Sequence, residues 1–419
     1  MSEQTNIDVV VAGGGIGGLA TAAALRLHGC RVTVLEQAPR LGEIGAGLQI
    51  GPNASRILYR LGMGEGLDAA ALVVEESVRR RWSTGEILTK TTLGTQARHK
   101  FGAPYLHLHR ADLHQILLEG ATRADGPGEP VTVEIATRVV GVDDAGTARP
   151  TVRTEDGRVF PADVVIGADG INSAVRGAVD APSAIVQSGD MAYRTLIPAE
   201  PVLQDPATRW IFDWPAANFW LGHQRHVVMY PVRDMSFVNV VAVVPVTEHV
   251  RAEDRALVPA EEMRRQYDGW DPRLTRLLAC SEEQVMAWAL NYQDPFSRWS
   301  SGHVALLGDA CHSMLPYFSQ GASQAIEDGA VVAEELAKAV RGEQFIDEAL
   351  LHYSDRRAER AAVVQQGAVG NRQLFHLPDG PDQRDRDRRF RENHKESNVS
   401  FDWIYSGTPL EDDASLLTA

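Results

Sequence analysis

From Asp8 the chain switches sharply between apolar blocks and glycine. Val9-Val-Val-Ala12 runs into Gly13-Gly14-Gly15-Ile-Gly17-Gly18, after which Ile16, Leu19, Ala20, Ala23, Ala24 and Leu27 recur at helical spacing. The pattern predicts a buried strand, a tight turn and a helix with an apolar face. Arg31-Val-Thr-Val-Leu35 predicts a second strand ending at Glu36, which completes a βαβ unit over about residues 5–37. A glycine-rich connection, 41–53, precedes a helix near 53–62, and residues 75–92 alternate as strands. His109-Arg-Ala-Asp-Leu-His114 opens another helix, strands follow at 131–142 and 150–155 around an Asp144 turn, and Ala162–Gly170 is again an apolar strand ending in glycine and acid.

From about 181 to 285 the pattern changes. Thr208–Trp214, Asn218–Gly222, Arg225–Pro231 and Ser236–Val244 read as consecutive antiparallel strands carrying an unusual share of the tryptophans. The α/β pattern returns with His303-Val-Ala-Leu-Leu-Gly308-Asp309, the helical stretch 321–340 and a mostly helical tail from 345 that His376-Leu-Pro-Asp-Gly380 breaks. The predicted organisation is a discontinuous nucleotide-binding domain of residues 1–74, 103–180 and 288–380. A substrate domain of 75–102 and 181–287 is inserted in it, and a C-terminal helical tail occupies 381–419.

Composition narrows the function classes. With 419 residues, 44% of them hydrophobic, the chain can fill more than one core, and it contains no 18-residue apolar run. The first residues lack the basic and apolar regions of a signal peptide, so a cytoplasmic protein without a membrane span is expected. Three cysteines, Cys30, Cys280 and Cys311, form no metal-binding pair or disulfide framework, and no metal is expected. A net charge of −15 disfavours nucleic acid, and the basic runs at Arg79-Arg80-Arg81 and Arg384–Arg391 read as solvated faces.

The glycine turn has a physical role at each position. Gly13 permits the turn, Gly15 lets backbone approach a pyrophosphate, and Gly18 lets helix pack on strand, leaving free N–H groups aimed at phosphates. Glu36, 18 residues past Gly18, can accept hydrogen bonds from ribose hydroxyls. This unit alone fits NAD(P) or FAD, or glycines that serve only a turn. Two further corners join a strand to an acid: Gly167-Ala168-Asp169-Gly170 and Gly308-Asp309. Either acid could instead be a simple turn residue, and Arg110 could be a surface ion pair.

Taken together these residues resemble the single-component flavoprotein aromatic hydroxylases, the family of para-hydroxybenzoate, salicylate and 3-hydroxybenzoate hydroxylases. The middle motif of that family, D-x-x-x-G-A-D-G-x-x-S-x-x-R, is met by Asp163, Gly167, Ala168, Asp169, Gly170, Ser173 and Arg176. Its third motif is met by Gly308, Asp309, Ala310, Cys311, His312 and Pro316. The pattern, including Phe401–Tyr405, is most similar to the salicylate, 3-hydroxybenzoate and 6-hydroxynicotinate hydroxylases. The resemblance implies a Rossmann-like α/β FAD-binding domain of the para-hydroxybenzoate hydroxylase type, an inserted antiparallel β-sheet and C-terminal helices. It implies FAD as cofactor, NADH or NADPH as co-substrate, O2, and a phenol-like substrate hydroxylated through a C4a-hydroperoxyflavin. A homodimer is left open.

On the cofactor side the resemblance carries over Gly13, Gly15, Gly18, Glu36, Gln37, Gln49, Arg110, Asp169, Asp309, Gly321 and Ala322. Asp309 would meet the ribityl chain, the helix start at Gly321-Ala322 would face a pyrimidine carbonyl, and Arg110 would neutralise pyrophosphate. On the substrate side, strand alternation puts His226, Val228 and Tyr230 of Arg225–Pro231 on one face. His226 and Tyr230 then stand roughly 13 Å apart along the strand. In the resembling enzymes a histidine at this place is the substrate base, which makes His226 the catalytic base and Tyr230 a pocket residue. Trp210, Phe212, Trp220, Pro316, Tyr317 and Phe318 are further pocket candidates, each of which could equally be core. His312 reads as structural or cofactor-adjacent, while His107 and His109 carry no assignable role. Enzymes of the 3-hydroxybenzoate type have a polar side chain near Pro316, and no arginine stands out as a carboxylate clamp, so the substrate is left open among a hydroxybenzoate, a hydroxypyridine and a larger natural-product aromatic. The alternatives are a flavin-dependent epoxidase or halogenase and a non-catalytic flavin redox sensor.

Overall fold

The computed structural model describes residues 7–42, 46–182, 184–246, 255–392, 399–407 and 410. Parts of the predicted 41–53 connection and of the C-terminal tail lie outside the described residues.

The apolar block Asp8–Ala12 is the centre of a six-stranded sheet ordered Ser300–Ser301, Val304–Leu306, Val164–Gly167, Asp8–Ala12, Arg31–Leu35, Thr132–Glu134. All neighbours in it are parallel except the edge pair Ser300–Ser301 with Val304–Leu306. Parallel strands covered on both faces read as continuous apolar runs, which is why Val-Val-Val and Val-Val-Ile were legible as strands. The helix Ile16–Leu27 covers one face and packs closely on the helix Gly321–Val340, where a Cβ on Gly329 would fall 2.6 Å from Thr21.

An eight-stranded sheet forms the second layer, in the order Arg255–Pro259, Gln284–Tyr292, Val186–Pro198, Phe237–Pro245, Arg225–Val232, Ala216–Gly222, Glu76–Arg81, Ile87–Thr92. It is antiparallel except where Ala216–Gly222 runs parallel to Glu76–Arg81, so the expected all-antiparallel sheet is a mixed one. The expected strand at Thr208–Trp214 is instead a helical turn, Trp210–Asp213, anchored by Arg209 and Trp210 carbonyls. The apolar alternation there served burial against the sheet rather than strand pairing.

The sheet has two buried faces. One packs Met191, Tyr193, Trp220, Val227 and Met229 against the short helices Ala260–Arg265 and Pro272–Ala279. The other carries Phe219, Val228 and Tyr230 together with Tyr317 and Phe375. The helix Ile346–Phe375 runs on beyond Gly321–Val340, followed by Pro381–Arg391 and Phe401–Ser406. Among the described residues no helix is long and apolar enough to cross a membrane.

Candidate active site

The parallel arrangement of Val304–Leu306, Val164–Gly167, Asp8–Ala12 and Arg31–Leu35 puts the ends of all four strands on one edge of the sheet. Four corners remote in sequence therefore meet: Gly308-Asp309, Ala168-Asp169, Gly13 and Glu36. Ligands of open parallel sheets bind at this carboxyl edge. A cavity of about 620 Å³ opens there and extends under the eight-stranded sheet.

On the cofactor side Gly13, Gly15, Glu36, Gln37 and Gln49 line the cavity, as do Arg110, Asp169, Asp309, Gly321 and Ala322. Gly13 has φ +106°, and a Cβ there would lie 2.4 Å from the Ala168 carbonyl oxygen. Only glycine takes that conformation without strain. A Cβ on Gly15 would meet nothing within 4 Å, so the backbone there is open to an approaching group. Gly18 does not line the cavity. A Cβ on it would sit 2.0 Å from the Gly13 carbonyl oxygen, and its role is the close helix-to-strand packing expected from the sequence.

The acids are held by backbone. Glu36 accepts from the N–H of Gly14 at 2.8 Å and of Ala38 at 2.7 Å. Asp169 accepts from the N–H of Ala174 at 2.7 Å and of Val175 at 3.2 Å through Oδ2, while its buried Oδ1 has no partner among the described residues. The middle motif is knitted to the third by Arg176, whose Nε donates to the Ala310 carbonyl at 2.9 Å. Burial lowers the Arg110 guanidinium below its usual value, and the Asp309 carboxylate opposes that shift. The helix Gly321–Val340 starts at the cavity wall with no acidic residue in its first turn and no side-chain cap on its first N–H groups. Free N–H groups at a helix start favour an electron-rich partner.

A charge cluster absent from the sequence reading fixes this corner from behind. Arg357, fully buried, donates to Asp328 Oδ1 at 2.7 Å and Glu327 Oε2 at 2.6 Å. Arg360 reaches Glu327 at 2.8 Å, and Asp328 Oδ2 also takes the Gly308 N–H at 2.9 Å and His312 Nε2 at 2.5 Å. Two carboxylates face two guanidiniums, which satisfies the condition for keeping charge in a dry interior. His312 is thus structural. Cys311, His312 and Asp328 place ligand-type atoms within 4.8 Å of each other, but the guanidinium of Arg357 already supplies the positive charge there.

These features fit FAD on observations of the chain itself: an open glycine backbone, an uncapped helix start, an orphaned buried Asp169 oxygen, and acids at the ends of adjacent strands. Glu36 would take ribose hydroxyls, Asp309 the polyol chain and Gly321-Ala322 the pyrimidine edge, the isoalloxazine supplying electron transfer and O2 activation.

Across the cavity His226, Val228 and Tyr230 all line it, as the strand alternation predicted, and Pro316 and Tyr317 join them. His226 is 3% exposed, and burial, reinforced by His376, lowers it well below the usual histidine range. Its Nδ1 lies 2.9 Å from His376 Nε2. Burial pushes Tyr230 above its usual value, against the pull of Arg194. Arg194 is a cationic wall residue that the sequence did not single out. It lines the cavity from Val186–Pro198, burial lowers it to about 10, and its Nε has no hydrogen-bond partner among the described residues. Its guanidinium lies over the Trp288 ring at 4.6 Å.

Four expected pocket residues lie elsewhere. Trp220 is fully buried on the opposite face of the sheet, with its Nε1 donating to Asp271 at 2.9 Å. Trp210 and Phe212 pack against that same far cluster, and Phe318 borders a smaller adjoining pocket with Tyr405 and Phe401. The cavity takes Phe219 in place of Trp220. The hairpin could have revealed this: with Gly222 opposite Arg225 across His223-Gln224, Leu221 pairs with His226 and Phe219 with Val228. Opposite residues share a face, so Phe219 and not Trp220 belongs with His226.

Fold and cavity together define an FAD-dependent monooxygenase. A family model described as FAD binding domain matches residues 6–368. The chain is 36% identical over 412 residues to 3-amino-4-hydroxybenzoate 2-monooxygenase of Streptomyces cremeus, covering 98% of each chain. It is also 36% identical over 367 residues to 6-hydroxynicotinate 3-monooxygenase of Pseudomonas fluorescens, covering 87% of this chain and 90% of that one. The solved structure of Klebsiella pneumoniae R204Q HpxO complexed with FAD superposes with a TM-score of 0.78 at 25% identity, covering 93% of this chain and 95% of that one. The chain belongs to this FAD-binding family, among its FAD-dependent aromatic hydroxylases.

Proposed function

We propose that this protein hydroxylates a phenol-like aromatic acid, a hydroxybenzoate or hydroxypyridine carboxylate, with NADH or NADPH as reductant. The balance is ring C–H plus O2, NAD(P)H and H+ giving ring C–OH, water and NAD(P)+. Residues 1–74, 103–180 and 288–380 hold the cofactor, and 75–102 and 181–287 present the substrate.

The observation that carries this reading is one cavity lined on one wall by Asp309, Gly321 and Ala322 and on the other by His226, Tyr230 and Arg194. Arg194, whose buried Nε has no hydrogen-bond partner among the described residues, anchors an acidic substituent, because a buried donor left unsatisfied is costly. His226, kept neutral by burial, accepts the ring hydroxyl proton. A phenolate is far more nucleophilic at its ortho and para carbons than a phenol of pKa near ~10, and such a base contributes about 10²–10⁴-fold. Apolar walls from Phe219, Val228 and Val241 keep water from the reacting atoms. The substrates named for the two relatives, an aminohydroxybenzoate and a hydroxynicotinate, each combine a ring hydroxyl with a carboxylate, which Arg194 and His226 would meet together.

The test is a screen of 3-amino-4-hydroxybenzoate, 3-hydroxybenzoate, salicylate and 6-hydroxynicotinate for stimulated NAD(P)H oxidation by the yellow holoenzyme, with product analysis. Stimulation by at least one, with a ring-hydroxylated product, is expected. Oxidation that none of the four accelerates overturns the reading.

A further inference from the structure

A buried chain of polar groups leads away from the base. Beyond His226, His376 caps the helix Ile346–Phe375, its carbonyl accepting from the Gln224 N–H at 3.1 Å, so the helix end is tied to the hairpin next to the base. The His376 side chain is 8% exposed, and its Nδ1 lies 3.9 Å from Asp190 Oδ2. Asp190 is held in turn by Arg372, through Nε at 2.5 Å and Nη2 at 2.9 Å, and by the Tyr317 hydroxyl. Arg372 is 34% exposed, and the hairpin residue His223 is exposed, so the chain reaches solvent.

We propose that His376 is a positioning residue that draws the ring-hydroxyl proton out of the cavity from His226 toward the exterior, beside Asp190. The inference rests on the reading of His226 as the base. In this step the substrate O–H bond breaks and its proton goes to His226 Nε2, the nitrogen not engaged by His376. The proton on His226 Nδ1 passes to His376 Nε2. The substrate is left as phenolate, His226 returns to neutral with its proton on Nε2, and His376 becomes an imidazolium facing the Asp190 carboxylate. No electrons are transferred.

The geometry supplies the reason for a relay. His226 is walled by Tyr317 and Phe375, whose ring centroids lie 5.0 and 5.6 Å away, and among the described residues no carboxylate pairs with it. His376 has one. The charged and titratable groups that face it are Asp190, Arg372, His223, His226 and Tyr317. Burial, with Arg372 and His223, lowers His376 to about 4 while Asp190 raises it, so it rests neutral and ready to accept. The relay requires one orientation of the shared hydrogen bond: His226 donating through Nδ1 and His376 accepting through Nε2.

Nitrogen-15 NMR of the holoenzyme with ring-labelled histidine tests that orientation without any substrate, with His376→Gln and His226→Ala to assign the signals. A protonated His226 Nδ1 against a bare His376 Nε2 is expected. The opposite tautomer, with His376 donating, leaves His226 Nε2 already protonated and overturns the proposal. Turnover against pH is then compared in His376→Gln and His376→Phe, using whichever of the four acids named above stimulates oxidation most. Both variants should retain FAD and keep KM within about twofold, while kcat falls about tenfold to a hundredfold with a changed pH profile. An unchanged kcat and pH profile in His376→Gln, with turnover lost in His226→Ala, overturns the relay and leaves the base standing. Unchanged turnover in His226→Ala removes the base, and the relay with it.

Discussion

The two walls of the cavity are built by different means. The cofactor wall is mostly backbone: a left-handed Gly13, an open Gly15, a helix start at Gly321, and acids such as Glu36 and Asp169 pinned by N–H groups. The substrate wall is mostly side chain, projected from one face of a sheet by His226, Tyr230, Arg194 and Phe219. At Gly13 and Gly18 the backbone leaves no room for a Cβ, whereas a side-chain site can be changed one group at a time. On the proposed function the first wall would hold FAD, and the second would set which ring is presented to it.

Gly18→Ala should therefore give the largest effect. Its Cβ would overlap the Gly13 carbonyl oxygen, and neither partner is a flexible side chain that could move aside. Purified protein should lose its bound FAD, read by absorbance and by FAD titration, at a cost of about 3 kcal/mol or more. Full FAD content would break the comparison. On the other wall Arg194→Met should retain FAD while raising KM for an aromatic acid about 10- to 150-fold, the worth of about 1.5–3 kcal/mol for a charge-assisted hydrogen bond. Loss of FAD in this variant would mean that the walls are not separable.

This division also explains what was legible in the sequence. The nucleotide unit was readable because its chemistry is written in short contiguous runs, Val9–Gly18 and Gly308-Asp309, whose backbone consequences follow from local sterics. His226 and Tyr230 were readable because a single strand fixes their common face. Arg194 was not, since it stands in a different strand, Val186–Pro198, and reaches His226's strand only through the intervening Phe237–Pro245. Trp220 was misplaced by one residue of register, which in a sheet means the opposite face. Arg357 lies 30 residues from Glu327 on a different helix, and no local pattern announces that pair.

The buried histidines sharpen the comparison by pH. His376 is lowered to about 4 and His107 to about 3 by burial, and His226 is lowered well below the usual range. The unfolded chain takes up protons on them near pH 6.5 while the folded chain does not, so stability falls as pH drops from 7 toward 4. His376 and His107 each contribute about 2 kcal/mol of loss by pH 5, and His226 acts in the same direction. Asp328, held down to about 2, acts in the same sense, contributing stability that is lost as pH falls from about 4 through 2, below this window. Denaturant titrations at pH 7 and 5 should show His376→Gln losing about 2 kcal/mol less than the unmodified protein between the two pH values. The smallest effect is expected from Trp220→Phe on the far face, which should lower stability by about 1–3 kcal/mol but leave KM unchanged. A shift in KM would place that face in the site after all.

On the proposed function His226 is the group that turns a flavin cavity into a ring hydroxylase. The most direct test supplies holoenzyme and its His226→Ala variant with 18O2, NAD(P)H and the best of the four aromatic acids, and measures labelled ring product. One 18O atom per ring product is expected in the unmodified protein, and a rate lower by about a hundredfold or more in the variant at equal FAD content. Equal rates of labelled product from both proteins would contradict this role for His226.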